Sequence, residues 1–221
     1  MIHHHPGDDL LLGLAAASLN AGQALVLSVH LEGCGHCRAR LHELQAVGGV
    51  MLEDVEPMPL AADAWIRTLE RIDSDEVVPV TGAARPTPEQ TLPEPVAGLQ
   101  WPRALRGCRA GRWRWAGPGV RFSRVYMPVD PGASLFLLRI AAGRSLPRHS
   151  HRDVELTQVL CGSFDDGRSV YAAGDFDDTD HEVLHQPVVQ PGGDCVCLAY
   201  LGGPLVFEGR VASMVGRLIG M

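Results

Sequence analysis

Aromatic residues are scarce, 5% of a 221-residue chain, so any core must be filled by Leu, Val and Ala; the 46% hydrophobic content is ample for that and ordinary for a soluble protein. The six cysteines, Cys34, Cys37, Cys108, Cys161, Cys195 and Cys197, lack the even framework of a disulfide scaffold, and no cleavable signal is evident. Thiols and metal ligation in a reducing cytoplasm are therefore expected. Residues 10–29 carry no charge over roughly the length of a membrane span. Ser18, Asn20, Gln23 and Ser28 interrupt the run, however, and Asp8-Asp9 replace the basic flank of a signal peptide. Two soluble helices broken near Asn20-Ala21-Gly22 are the expectation, with no membrane involvement. Internal repeats and low-complexity runs are lacking too. Acids are missing from residues 101–124, which hold seven arginines, whereas residues 1–76 hold twelve acids against four arginines, a net −8. An acidic front suits a basic partner.

The length suits two small domains. Asp8-Asp9 favour the first turn of a helix through Leu10, Leu11, Leu14 and Ala15. A second helix is expected over about 22–30, ending at Gly33, and a third over 38–47, with Leu41, Leu44 and Val47 in helical spacing and Gly48-Gly49 as its stop. After an acidic, proline-bearing connection, Trp65, Ile66, Leu69 and Ile72 make residues 61–72 a fourth, amphipathic helix, placed at a domain edge where it can bind a partner. Prolines 79, 86, 88, 93, 95 and 102 mark a semi-rigid linker, across which the two sides should move somewhat independently. Beyond Trp101 the texture becomes short alternating strands near 113–115, 120–122, 134–141, 155–160, 183–189 and 195–200, as in a small antiparallel barrel, with a tail helix over 208–221. The expected architecture is all-α plus all-β, with a helical unit at 1–76, a proline-rich linker at 77–100 and a β-barrel at 101–221.

Two constellations carry chemistry. In His30-Leu-Glu-Gly-Cys34-Gly-His36-Cys37, a histidine with cysteines at +4 and +7 brings imidazole and thiolates close enough for one tetrahedral Zn²⁺. A closed site needs a fourth ligand. His5 on the N-terminal arm is the choice, with His3 and His4 adjoining, and it would staple the first helix to the next two. A thioredoxin-type dithiol is the rival, but no strand precedes Cys34 and His30 is then unexplained. His36 and His42 read as solvated. The second constellation is Gly143-x₅-His149-Ser-His151-x₃-Glu155-x₆-Gly162, the spacing of a first cupin motif, followed by Gly174-Asp175 and a late His185. Two histidines two apart on a strand point into the barrel, and the carboxylate and the distant histidine complete an N₃O shell. His185 is preferred over His181, which fits a turn. The bland alternative is a barrel that has lost its metal and packs these histidines.

Cys195-Val-Cys197 read as small hydrophobes rather than a redox pair. The arginines from 103 to 124, interleaved with tryptophans, alternate in Arg112-Trp-Arg-Trp-Ala116 as Trp inward and Arg outward, and the acidic chain argues against direct nucleic-acid binding.

The order of these parts resembles the ChrR-type anti-sigma factors, a zinc-binding anti-sigma domain joined to a cupin. The likeness rests on His30-x₃-Cys34-x₂-Cys37-Arg-Ala-Arg, Gly48-Gly49, His149-x-His151-x₃-Glu155-Leu-Thr, Gly174-Asp175, His185-Gln-Pro-Val and Asp194-Cys-Val-Cys-Leu198. It implies a helical unit that clasps a sigma factor of the extracytoplasmic-function group and blocks its access to RNA polymerase. It also implies zinc on His5, His30, Cys34 and Cys37, and a second metal on His149, His151, Glu155 and His185 in a domain that receives a stress signal such as singlet oxygen or an organic hydroperoxide. For the barrel's divalent metal Zn²⁺ leads, with Fe²⁺ and Mn²⁺ as options. Cys108 and Cys161 have no role in that pattern. Two rivals stand beside it: a cupin dioxygenase or isomerase with an accessory zinc unit, and a metal-free thiol redox protein using Cys34 and Cys37.

Overall fold

A computed structural model describes residues 1–74, 92–179 and 183–207. The expected tail helix at 208–221, most of the proline-rich linker and His181 lie outside the described residues.

The front of the chain is helical: α1 (Asp8–Ala15), α2 (Ala21–Gly33), α3 (Gly35–Glu53) and α4 (Ala64–Asp73). Ala17, in the left-handed region, breaks the uncharged run between the first two. Asn20 then starts α2 with a reciprocal capping box, its side chain accepting from Gln23 N while Gln23 accepts from Asn20 N. Cys34 ends α2 and caps α3, its sulfur accepting from Cys37 N at 3.4 Å. The expected stop at Gly48-Gly49 is corrected: α3 continues to Glu53. A glycine ends a helix by taking positive φ, and neither of these two does. Helix-compatible Val50, Met51 and Leu52 follow, and the first proline comes only at 57.

The rest is antiparallel β structure. One sheet joins β1 (Arg109–Ala110), β3 (Val120–Tyr126), β4 (Leu135–Ile140), β11 (Cys195–Leu201), β6 (Glu155–Cys161) and β9 (Phe176–Thr179) in the order β1-β3-β4-β11-β6-β9, with β2 (Arg114–Gly117) also on β3. A second sheet orders β10 (Val188–Val189), β7 (Ser163–Asp165) and β8 (Val170–Ala172), and β12 (Leu205–Phe207) pairs with β5 (His149–His151). The expected strand at 183–189 survives only as Val188–Val189 plus an isolated bridge at His185. The segment changes partner there, from β5 at His185 to β7 at Val188, and Pro187 donates no ladder bond. The Trp-inward expectation holds at Trp113, which packs against the core while Arg112 and Arg114 stay exposed, and fails at Trp115, which is exposed. The Arg114 guanidinium lies 5.6 Å over the Phe122 ring.

Both faces of the main sheet are buried, which is why its central strands read as nearly continuous apolar runs. Inward, Val120, Ile140, Val159, Phe164, Tyr171, Cys195 and Cys197 fill the barrel. Outward, Leu135, Leu137, Leu156, Phe176 and Leu198 form one cluster with Leu10, Leu11, Leu25, Val26, Leu27 and Val29 of the helices. The expectation of two loosely coupled sides therefore gives way to a shared core. The uncharged run 10–29 is apolar on so many positions because it packs on the barrel as well as on its neighbours. At Gly22 a β-carbon would meet the Tyr200 ring at 2.6 Å, so only glycine lets α2 approach β11 this closely. Polar ties frame the contact: Asn20 Nδ2 donates to Tyr200 OH at 2.8 Å, and the Glu32 carboxylate accepts from the backbone N–H groups of Arg103, at 2.9 Å, and Ala104.

Candidate metal centres

The N-terminal arm reaches its place because the barrel holds it. Burial works to raise the Asp175 carboxyl, but backbone donors outweigh that and hold it below the usual carboxylate range: Ala172 N, His3 N at 2.6 Å and His4 N at 3.0 Å. Phe176 N donates to His4 O, and the His4 ring meets Ser169 Oγ at 3.1 Å and packs on Tyr171. With His3 and His4 so placed, it is the His5 ring that turns toward α2 and α3. Its Nδ1 lies 3.4 Å from both Cys34 Sγ and Cys37 Sγ. His30 enters from the last turn of α2.

The donor atoms of His5, His30, Cys34 and Cys37 all fall within 4.8 Å of one another. Four donors around a tetrahedral zinc with bonds of about 2.0–2.3 Å would stand roughly 3.3–3.8 Å apart, which this cluster approaches. His30, Cys34 and Cys37 are each at most 3% exposed. Burial, with the adjacent Cys34 sulfur as a second cause, pushes the Cys37 thiol up to about 12, so it does not ionise on its own. Burial also lowers both histidines, keeping the imidazoles neutral and ready to donate a lone pair. Neutral imidazoles beside buried thiols that a cation would deprotonate fit Zn²⁺. His30 Nε2 is buried and has no hydrogen-bond partner among the described residues, and a metal bond satisfies such an atom.

The second group lies inside the barrel. His149 on β5 and His185 exchange backbone hydrogen bonds, 3.1 Å in each direction, which brings their rings to 4.7 Å between centroids. His149 Nδ1 donates to Pro147 O at 2.8 Å, leaving Nε2 to face His185 Nε2 at 3.2 Å. Glu155, at the start of β6, accepts from Thr157 Oγ1 and completes a trio whose ligand atoms lie within 4.8 Å. The His151 backbone lies on β5 opposite Leu205; its side chain is outside the described residues. Two imidazole nitrogens and a carboxylate converging in a buried space suit a borderline divalent ion.

Sequence reasoning missed the groups behind these ligands. Gln158 Oε1 stands 3.0 Å from His30 Nδ1, and nothing in the chain's pattern marks a barrel residue as a neighbour of the front cluster. Asp166, fully buried at its side chain, comes within 3.8 Å of His185 Nδ1 and pairs with Arg168, which in turn reaches Asp177 at 2.9 Å. Burial would raise Asp166, but the backbone N–H groups of Ser169 and Arg168 and the guanidinium lower it. Of the remaining thiols Cys108 is buried, Cys195 and Cys197 lie 3.7 Å apart in the barrel core, and Cys161 is half-buried with its sulfur 3.8 Å from Asp194 O.

The expected amphipathic helix forms, and no described residue buries it. Among the described residues α4 buries no side chain, and Trp65 (72%), Ile66 (59%) and Ile72 (72%) face solvent together with Val50, Met51 and Leu52 of α3. No described helix is long and apolar enough to cross a membrane.

Residues 103–204 match the family model of the ChrR cupin-like domain. The anti-sigma-E factor ChrR of Cereibacter sphaeroides is 36% identical over 214 residues, 97% of this chain and 96% of its own. A crystal structure of Rhodobacter sphaeroides SigE in complex with the anti-sigma ChrR superposes with a TM-score of 0.71 at 33% identity, covering 91% of this chain and all of that one. With a relative above 30% identity matching over nearly the whole of both chains, and with helices ahead of a cupin-like sheet, the chain belongs to the ChrR family of anti-sigma factors.

Proposed function

We propose that this protein is a cytoplasmic anti-sigma factor whose helical unit binds an extracytoplasmic-function sigma factor and withholds it from RNA polymerase. One observation carries the reading: α4, and separately the end of α3, leave their apolar side chains exposed in a chain that matches, over nearly its whole length, a relative whose structure was solved with a sigma factor on it. An amphipathic helix whose apolar side stays exposed is a natural element for a partner to cover. Net charge of −8 over residues 1–76 adds long-range attraction for a basic surface.

In this reading His5, His30, Cys34 and Cys37 hold a structural Zn²⁺ that fixes the arm leading into α1 to α2 and α3, while residues 77–100 connect a unit at 1–76 to a barrel at 101–221. His149, His151, Glu155 and His185 hold a second divalent ion, Zn²⁺ first and Fe²⁺ or Mn²⁺ as alternatives, in a domain that receives the releasing signal of singlet-oxygen or hydroperoxide type. The protein catalyses nothing in that account. The test is co-expression with an extracytoplasmic-function sigma factor from the same genome, followed by size exclusion and a transcription assay. Co-elution and repression are expected; two separate peaks from zinc-loaded protein would sink the proposal.

A cupin enzyme, a dioxygenase or isomerase, is the second reading. It is favoured by a cavity of about 530 Å³ that reaches His185 between Arg148, Asp166 and Gln186. Turnover of a small substrate by the full chain, abolished by His149→Ala, would support it.

A further inference from the structure

Gln158 belongs to neither ligand set, yet it is a barrel residue in contact with the front cluster. It lies on β6 three residues after Glu155, so strand alternation turns the two to opposite faces: Glu155 into the barrel, Gln158 outward against α2. The residue is 2% exposed. Its Nε2 donates to Val159 O at 3.0 Å, which orients the amide and leaves Oε1 as the atom facing His30 Nδ1, also at 3.0 Å. An amide oxygen only accepts, so the proton of His30 sits on Nδ1. Nε2 then keeps its lone pair, and Nε2 is the buried ring atom without a hydrogen-bond partner among the described residues.

We infer that Gln158 is a positioning residue of the front centre: the barrel fixes His30 in the tautomer and orientation that ligate, so how firmly the helical unit holds its metal depends on α2 being seated on β6. The inference rests on the reading of His5, His30, Cys34 and Cys37 as a zinc site. A ligating histidine ordinarily gives its second N–H to a fixed acceptor that sets its tautomer and orientation; here that acceptor comes from the other half of the molecule. One strand thus serves both centres, with Glu155 and Gln158 about 10 Å apart along it. The register of β6 is a property they share.

The full-length chain is tested as wild type, as Gln158→Met, which keeps the length and removes the acceptor, and as Gln158→Glu, which restores one. Zinc affinity is measured by competition with a chromogenic chelator, metal content is determined for each centre, and the ring ¹⁵N shifts of His30 are recorded on wild type. His30 should appear metallated at Nε2 with a protected Nδ1–H. Gln158→Met should bind zinc at the front centre about 10–100-fold more weakly, Gln158→Glu should recover most of the loss, and the barrel's metal content should not change. Equal retention by Gln158→Met, failure of Gln158→Glu to recover, or metallation of His30 through Nδ1 overturns the inference while leaving the zinc site standing. The ring shifts decide the matter on wild type even if a variant does not fold. Wild type that carries no zinc, with Cys34 and Cys37 equally reactive before and after chelation, removes the site and the inference together.

Discussion

Cys34 and Cys37 sit where two helices meet, and their chemistry follows from that place. Cys34 ends α2 and caps α3 through its sulfur, and Cys37 follows in the first turn of α3, where the N-terminal partial charge favours a thiolate. Against this, burial pushes Cys37 to about 12. Desolvation wins without a cation, and a bound Zn²⁺ reverses the balance. Cys37→Ser should therefore lower zinc content by one ion per chain, leave Cys34 open to thiol reagents and abolish co-elution with the sigma factor. Thiol titration with elemental analysis checks it, and a variant that keeps both zinc and partner refutes the ligand assignment. At this scale much was legible: a His-x₃-Cys-x₂-Cys spacing can be read directly, because ligand spacing is a local constraint. Gln158 could not be read, because its contact with His30 spans 128 residues and depends on the register of α2 against β6.

Among the elements, α2 and α4 divide the labour. α2 is buried on several sides, with Val26 and Leu27 wholly enclosed between the sheet and the other helices. Leu27→Ala opens a cavity in the shared core and should cost about 2–5 kcal/mol of stability, read from the denaturant midpoint at unchanged slope. A loss below 1 kcal/mol would mean that helices and barrel are not folded as one core. α4 is the opposite case. Its apolar side touches nothing described, so Trp65→Asp should leave the unfolding midpoint within about 0.5 kcal/mol of wild type. It should weaken sigma binding by about 2 kcal/mol or more, roughly 30-fold, as aromatic anchors at interface centres do. Titration calorimetry on the folded variant separates the two effects. The fourth helix was legible because amphipathic periodicity is local, and so was the alternating texture of the main strands. The end of α3 was not, since glycines at helical φ interrupt nothing. Nor was the broken strand near His185, where one segment serves two sheets.

Across the whole molecule, three links join the helical unit to the barrel: the arm pinned by Asp175, the α2 face on β6 and β11, and Glu32 on the turn at Arg103–Leu105. Pattern reading found the two halves and expected them to drift on a linker. It could not find the seam, because an apolar position on α2 looks the same whether it meets another helix or a sheet. That seam bears on how a barrel event can release a partner held some way off. Coupling needs an element whose arrangement both sites bias. β6 qualifies on position, with Glu155 on one face and the His30 contact on the other. If the barrel centre reports the signal and the helices only hold the partner, His149→Ala should leave sigma affinity within about twofold of wild type and abolish induction in cells. Binding measured on purified proteins and a sigma-dependent reporter under the inducing stress supply the two readouts. Normal induction by that variant would place the sensor elsewhere, whereas loss of sigma affinity along with induction would show that the barrel centre supports the clasp itself, as a shared core permits.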